Sequence, residues 1–130
     1  MYIQNRTQRE TKFRAYDRET EEFIYSDQNY DEAWFEFKDG ELRAFAMHGL
    51  TSGSIHESPE PNCVELEPPQ QFTGLKDKNG KEAYHKDSVS AYGYSNWTIE
   101  WFADGWRLKQ DGQDNYQIIP DHFIIIKEGI

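Results

Sequence analysis

Asp77-Lys78-Asn79-Gly80, followed by Lys81, is the stretch of this chain whose residue types come nearest to a chemical motif. Oxygen-bearing side chains at alternate positions before a glycine are what a calcium loop requires. With Gly80 as the sharp-turn glycine, however, the first ligand position falls on Leu75 and the closing bidentate acid on Lys86, and neither can coordinate the ion. Gly74 to Glu82 also approaches a phosphate-binding loop that closes on Gly80-Lys81. It has one residue too many between its glycines, Glu82 stands where a hydroxyl would meet magnesium, and no helix pattern follows to offer its N-terminus. A hairpin turn built on Asn79-Gly80 accounts for the same residues.

The remaining reactive side chains do not assemble into a known spacing. His48, His56, His85 and His122 are far apart in sequence, and Cys63 is the only cysteine, which removes Cys-pair metal sites and internal disulfides. Cys63 lacks the surroundings of a nucleophile. Carboxylates are abundant, and an acidic fold places some pair at glycosidase-like separation by chance. The expectation is no catalytic residue, no metal, no cofactor and no enzymatic activity.

Charge is more informative by position than by total. The 130 residues carry a net charge of -10. Residues 21–70 hold two basic and twelve acidic side chains, and the flanking segments nearly cancel. Such a field repels nucleic-acid phosphates and anionic lipid and suits a basic partner protein. Two basic groupings stand against it: Arg6, Arg9, Lys12, Arg14 and Arg18 near the start, and Lys76, Lys78, Lys81 and Lys86 around the central turn. Ion pairing with the acidic segment is the expected use of these residues, and a nucleic-acid-binding barrel is the alternative.

These residues must be positioned by strands. Mean hydropathy is -0.97 and apolar residues are only 36%, but 20 Phe, Trp and Tyr recur from Phe13 to Phe123, enough large rings for a core. Residues 1–9 are patternless and are expected to form a flexible lead-in to a single domain over 10–130. Phe13 and Ala15 alternate with Lys12, Arg14 and Tyr16, turn at Asp17-Arg18-Glu19-Thr20, and return through Phe23-Ile24-Tyr25. Ala33 to Phe37 and Glu41 to His48 flank Lys38-Asp39-Gly40 as a second hairpin. A helix over 31–37 capped by Asp31 is the competing reading. Gly49 to Asn62 has the composition of a loop. Val64 to Leu66 reads as a short strand, Pro68-Pro69 stops it, and Gln70 restarts it. Trp97, Ile99 and Trp101 alternate with Thr98, Glu100 and Phe102 before the turn at Ala103-Asp104-Gly105. Phe123 to Ile126 is continuously apolar, as if buried on both faces.

Four separated pieces carry a family resemblance. QFTGLKDKNGKEAYHKDSV, from Gln71 to Val89, resembles the signature of the YopX family, small proteins encoded mainly by phages and prophages. RETKFRAYD (Arg9 to Asp17), WTIEWFADGWRLK (Trp97 to Lys109) and DHFIII (Asp121 to Ile126) resemble its opening strand, later hairpin and closing strand, in that order. The usual Glu-Gly-Asp after the turn reads His85-Lys86-Asp87 here, and the chain ends at Ile130 where the family tends to continue with an Asn- and Pro-containing tail.

The resemblance implies a mainly β fold, a compact antiparallel sheet or small SH3-like barrel with at most one short helix, and a phage or prophage origin. It implies no activity. The opening MYIQNRTQRE lacks a signal-peptide run and no stretch is long enough to span a membrane, so the host bacterial cytoplasm is the expected location. The functional expectation is a non-enzymatic interaction protein whose partner is a host or phage protein, with a homo-oligomer as a further possibility. Its candidate contact residues are Tyr84, Asp87, Tyr92, Tyr94, Lys76 and Lys78, with the 49–62 loop beside them.

Overall fold

The computed structural model describes residues 11–48 and 62–130; the expected lead-in at 1–9 and nearly all of the expected loop at 49–62 lie outside them. The fold class is as expected. The described residues form antiparallel sheets, including a curled half-barrel, and contain no helix. They divide into two compact units, Lys12–Pro69 and a C-terminal unit built on Gln70–Ile130.

In the N-terminal unit, β1 (Phe13–Asp17) and β2 (Glu22–Tyr25) form the first hairpin, with Ala15 opposite Ile24. Asp17 Oδ1 closes its turn by accepting the N–H of Glu19 at 2.9 Å, the Asx geometry that makes Asp a turn residue. β3 (Ala33–Lys38), β4 (Glu41–His48) and β5 (Asn62–Glu65) make a three-stranded sheet with β4 in the middle. Residues 33–38 are therefore strand and not helix. Asp39 and Gly40 connect β3 to β4 with φ of 56° and 82°, the paired positive values that match the twist of a two-residue hairpin. Ala15, Ile24, Ala44, Ala46 and Leu66 form the core, with Tyr30, Ala33 and Phe35 packed around them.

Alternation places Arg14 outside the core, yet it is fully buried, its guanidinium 4.1 Å from the centre of the Phe23 ring. An aromatic face makes such burial tolerable for a planar, weakly hydrated cation.

The C-terminal unit begins with β6 (Gln70–Lys76) and β7 (Glu82–Tyr84) around the central turn. β8 (Ser88–Ala91), β9 (Tyr94–Phe102), β10 (Gly105–Gln110), β11 (Tyr116–Ile118) and β12 (Ile124–Lys127) form a five-stranded sheet in the order β11-β10-β9-β8-β12. Ala83, Val89, Ala91, Trp97, Ile99, Leu108, Phe123 and Ile125 build its core. Ile99 and Leu108 face each other across β9 and β10 and are fully buried, each worth about 1.5–3 kcal/mol.

The apolar run at the end is corrected in one respect. Among the described residues β12 is an edge strand that pairs with β8 alone, so Ile125 enters the core while Ile124 and Ile126 face outward. A strand at the edge of a sheet with one packed face alternates even when its sequence does not.

Candidate interaction surface

The central turn is organised by Asp77. Its Oδ1 accepts the backbone N–H groups of Asn79 at 2.8 Å and Lys81 at 2.9 Å, and its Oδ2 accepts that of Ile125 at 3.0 Å. Lys78 N–H donates to the carbonyl of Phe123 at 2.9 Å. One buried carboxylate thus closes the turn and fastens it to the last strand. Burial pushes its pKa up, but the N–H groups of Ile125, Lys81 and Asn79, with the Lys81 charge, outweigh this and hold it below the usual aspartate value. Only Gly80 of the Asn-Gly pair takes a positive φ, 85°, so the turn is a type I turn ended by a left-handed glycine.

Tyr84 and Asp87 are both withdrawn from the surface. Asp87 accepts the N–H of Tyr84 at 2.9 Å and that of Gly129 at 3.0 Å, and the Tyr84 ring packs 5.4 Å from Phe72. Their contacts hold β7, β8 and the C-terminal tail together. Between them Lys86 adopts a φ of 80°, where the family pattern usually has its glycine. The tail crosses at this point: a Cβ on Gly129 would lie 2.5 Å from the Lys86 carbonyl oxygen. The Gly129 carbonyl also accepts a hydrogen bond from Gln70 Nε2.

Next to this junction, His85 Nε2 lies 2.9 Å from Glu100 Oε1 and Lys86 Nζ 3.1 Å from Glu100 Oε2. Burial raises the Glu100 pKa, and the hydrogen bonds from His85 and Lys86 more than reverse that, leaving it lowered. His48, in the N-terminal unit, lies 3.0 Å from Asp17 Oδ2, close enough for an ion pair but misaligned for a hydrogen bond. Among the described residues, no group of three His, Cys, Asp or Glu side chains could hold a metal ion.

The exposed chemistry of the C-terminal unit is aromatic. At the β9–β10 turn, Trp101 is 54% and Phe102 45% exposed, on opposite faces of the sheet. Each ring is held by another. Trp101 stands edge-on to Trp106 at 5.0 Å, and Phe102 stacks on Tyr116 at 3.9 Å. At the β8–β9 turn, Tyr92 and Tyr94 are 50% and 60% exposed. Tyr92 is tethered, its hydroxyl donating to the Ile118 carbonyl at 2.6 Å and its ring meeting Trp97 edge-on at 5.8 Å. Trp101 and Phe102 were not among the residues singled out from sequence. Alternation puts Trp101 on the core face with Trp97 and Ile99 and Phe102 on the face of Thr98 and Glu100, and only the position of the core's end along β9 reveals that Trp101 lies beyond it.

Several of the basic residues are engaged. Lys12 pairs with Asp27, Arg18 with Glu67, Arg43 with Glu41 and Glu65, Lys81 with Glu128 and Arg107 with Asp104. Lys76 and Lys78 are exposed on the central turn. Arg6 and Arg9 lie outside the described residues.

No curated protein matches the chain. A family model described as YopX protein matches residues 12–124, which takes in β1, the central turn with Asp77, the buried Asp87 and the β9–β10 hairpin, and reaches the first residue of β12. With the four ordered motifs and the all-β architecture, that match shows that the chain belongs to the YopX family.

Proposed function

We propose that this chain is a phage- or prophage-encoded accessory protein that acts in the bacterial host cytoplasm as a non-enzymatic protein-interaction domain. Its contact surface is the aromatic end of the β9–β10 hairpin. The observation that supports the reading is the pair Trp101 and Phe102, half exposed yet each locked against a neighbouring ring. Large rings already fixed in one rotamer lose little entropy on binding, and such anchors dominate protein interfaces. Tyr94, also exposed, lies at the opposite end of β9 and is not part of this surface. Lys76 and Lys78 are too few to form a nucleic-acid track by themselves, and Lys81 and Lys86 near them already face carboxylates.

The test compares the tagged chain with a Trp101→Ser/Phe102→Ser variant in cells carrying the phage or prophage. A protein that co-purifies with the wild type, is lost with the variant and binds the purified chain directly is the expected result. Equal recovery by both proteins rules this end of the hairpin out as the contact. Retention on heparin that disappears as salt rises, abolished by Lys76→Glu/Lys78→Glu, replaces the reading with the nucleic-acid one.

A further inference from the structure

The N-terminal unit has its own surface feature, a sheet edge with unused backbone groups in an acidic setting. Glu32 carbonyl accepts the Met47 N–H at 2.7 Å, which fixes the hydrogen-bonding parity of the β3–β4 ladder. Glu32, Trp34, Glu36 and Lys38 turn their backbone groups toward β4, and Ala33, Phe35 and Phe37 turn theirs outward. β3 is the edge of its sheet, and among the described residues nothing pairs with those outward groups. An edge strand of another sheet in the unit is treated differently: on β2 the outward N–H of Tyr25 is capped by the Tyr30 hydroxyl at 3.0 Å.

Side chains along the open edge point to one kind of occupant. Phe37 is 77% exposed at one end, and Trp34 sits on the opposite face, stacked on Phe45 at 5.8 Å. Asp31, Glu32, Glu36, Asp39 and Glu41 are all exposed around it. Residues 12–69 as a whole carry five basic and fourteen acidic side chains. A second copy pairing through β3 would bring two such units together against strong repulsion. A basic segment would not meet that barrier.

We propose that β3 is a strand-addition site for a basic, extended segment of a partner protein. Backbone hydrogen bonds to Ala33, Phe35 and Phe37 hold the added strand. Alternate Lys or Arg side chains meet Glu36 and the flanking carboxylates, and intervening apolar side chains cover Phe37. The proposal rests on the reading as a protein-binding domain but uses residues of the N-terminal unit in place of Trp101 and Phe102.

The test uses the full chain and three blocked octapeptides of alternating Lys-Val, Lys-Pro and Glu-Val, with amide hydrogen exchange as the readout. Lys-Val is expected to slow exchange at Ala33, Phe35 and Phe37 at least tenfold, leaving Trp34 and Glu36, already bonded to β4, unchanged. Lys-Pro, which cannot supply the ladder, and Glu-Val are expected to have no effect. Glu36→Lys should weaken the Lys-Val effect tenfold, with the Ala44 amide confirming an intact fold, and Trp101→Ser/Phe102→Ser should leave it unchanged. The proposal is overturned by absence of protection at saturating Lys-Val, by an equal effect of Lys-Pro, or by protection without peptide that is lost on dilution, which would make a second copy the occupant.

Discussion

Asp77 illustrates how much of this family signature is internal bookkeeping of backbone donors. Three N–H groups, two in its own turn and one on β12, converge on its carboxylate, and leaving such groups unpaired costs about 1–3 kcal/mol each. Its folded pKa lies below the unfolded value. Its stabilisation is therefore complete above the unfolded pKa, about 3.9, and is lost as pH falls through the lower folded value. Asp77→Asn is expected to be less stable at pH 7 and to show a shallower acid limb below pH 4 in urea titrations. An unchanged limb would assign the acid sensitivity elsewhere. Lys86 makes the opposite case, a residue working against its backbone. A left-handed φ costs a non-glycine residue roughly 1–2 kcal/mol, and its exposed pairing with Glu100 returns less than about 1 kcal/mol. Lys86→Gly should therefore raise stability by up to about 1 kcal/mol, after the entropy that glycine adds to the unfolded chain, seen as a higher thermal midpoint. The sequence exposed the turn role of Asp77-Gly80 because Asn-Gly and a following Lys are local signals. It could not expose the partners of Asp77 and Asp87 at Ile125 and Gly129, which are 48 and 42 residues away.

Strands and hairpins were the readable layer. Alternation and turn chemistry located β1 to β4 and β9 to β10, because each hairpin is closed by residues adjacent in sequence. Where the reading failed, the missing information was which strands lie at an edge. Phe123 to Ile126 looks doubly buried until β12 is seen at the edge of the described sheet, next to β8. Trp101 looks like core until β9 is seen to run past the core. Turn strain was hidden as well: the positive φ of the β9–β10 turn falls on Ala103, at 61°, although Gly105 is nearby. Tyr92 shows an element held by a side chain from another turn. Its own φ is 55°, an unusual conformation for a bulky residue, and its hydroxyl secures the three-residue β11 at Ile118. Tyr92→Phe is expected to cost about 0.5–1.5 kcal/mol, concentrated in β11, as faster amide exchange at Gln117 and its neighbours with little change at Ile99. Slower recovery of a binding partner without faster β11 exchange would instead make the hydroxyl a contact group.

At the scale of the molecule, nearly all the negative charge belongs to one unit, since residues 12–69 hold nine more acids than bases and the rest of the chain is close to balance. Its ion pairs are mostly exposed, as with Arg18 and Glu67, and contribute little individually. Self-repulsion should dominate the salt response. Raising NaCl from about 20 mM to about 500 mM, which shortens the screening length several-fold, is expected to slow exchange at the Ala44 and Ala46 amides more than at Ile99 and Leu108. The reverse order would mean that attractive pairs govern the unit. The same division has an optical consequence. Of the four tryptophans, Trp97, Trp101 and Trp106 lie in the C-terminal unit and Trp34 alone in the N-terminal one. Replacing those three with Phe leaves Trp34, stacked on Phe45, as the lone tryptophan, excited apart from the tyrosines at the red edge of the absorption band. Its emission then follows the acidic unit by itself, and, because it sits on β3, it also signals the arrival of a strand at that edge.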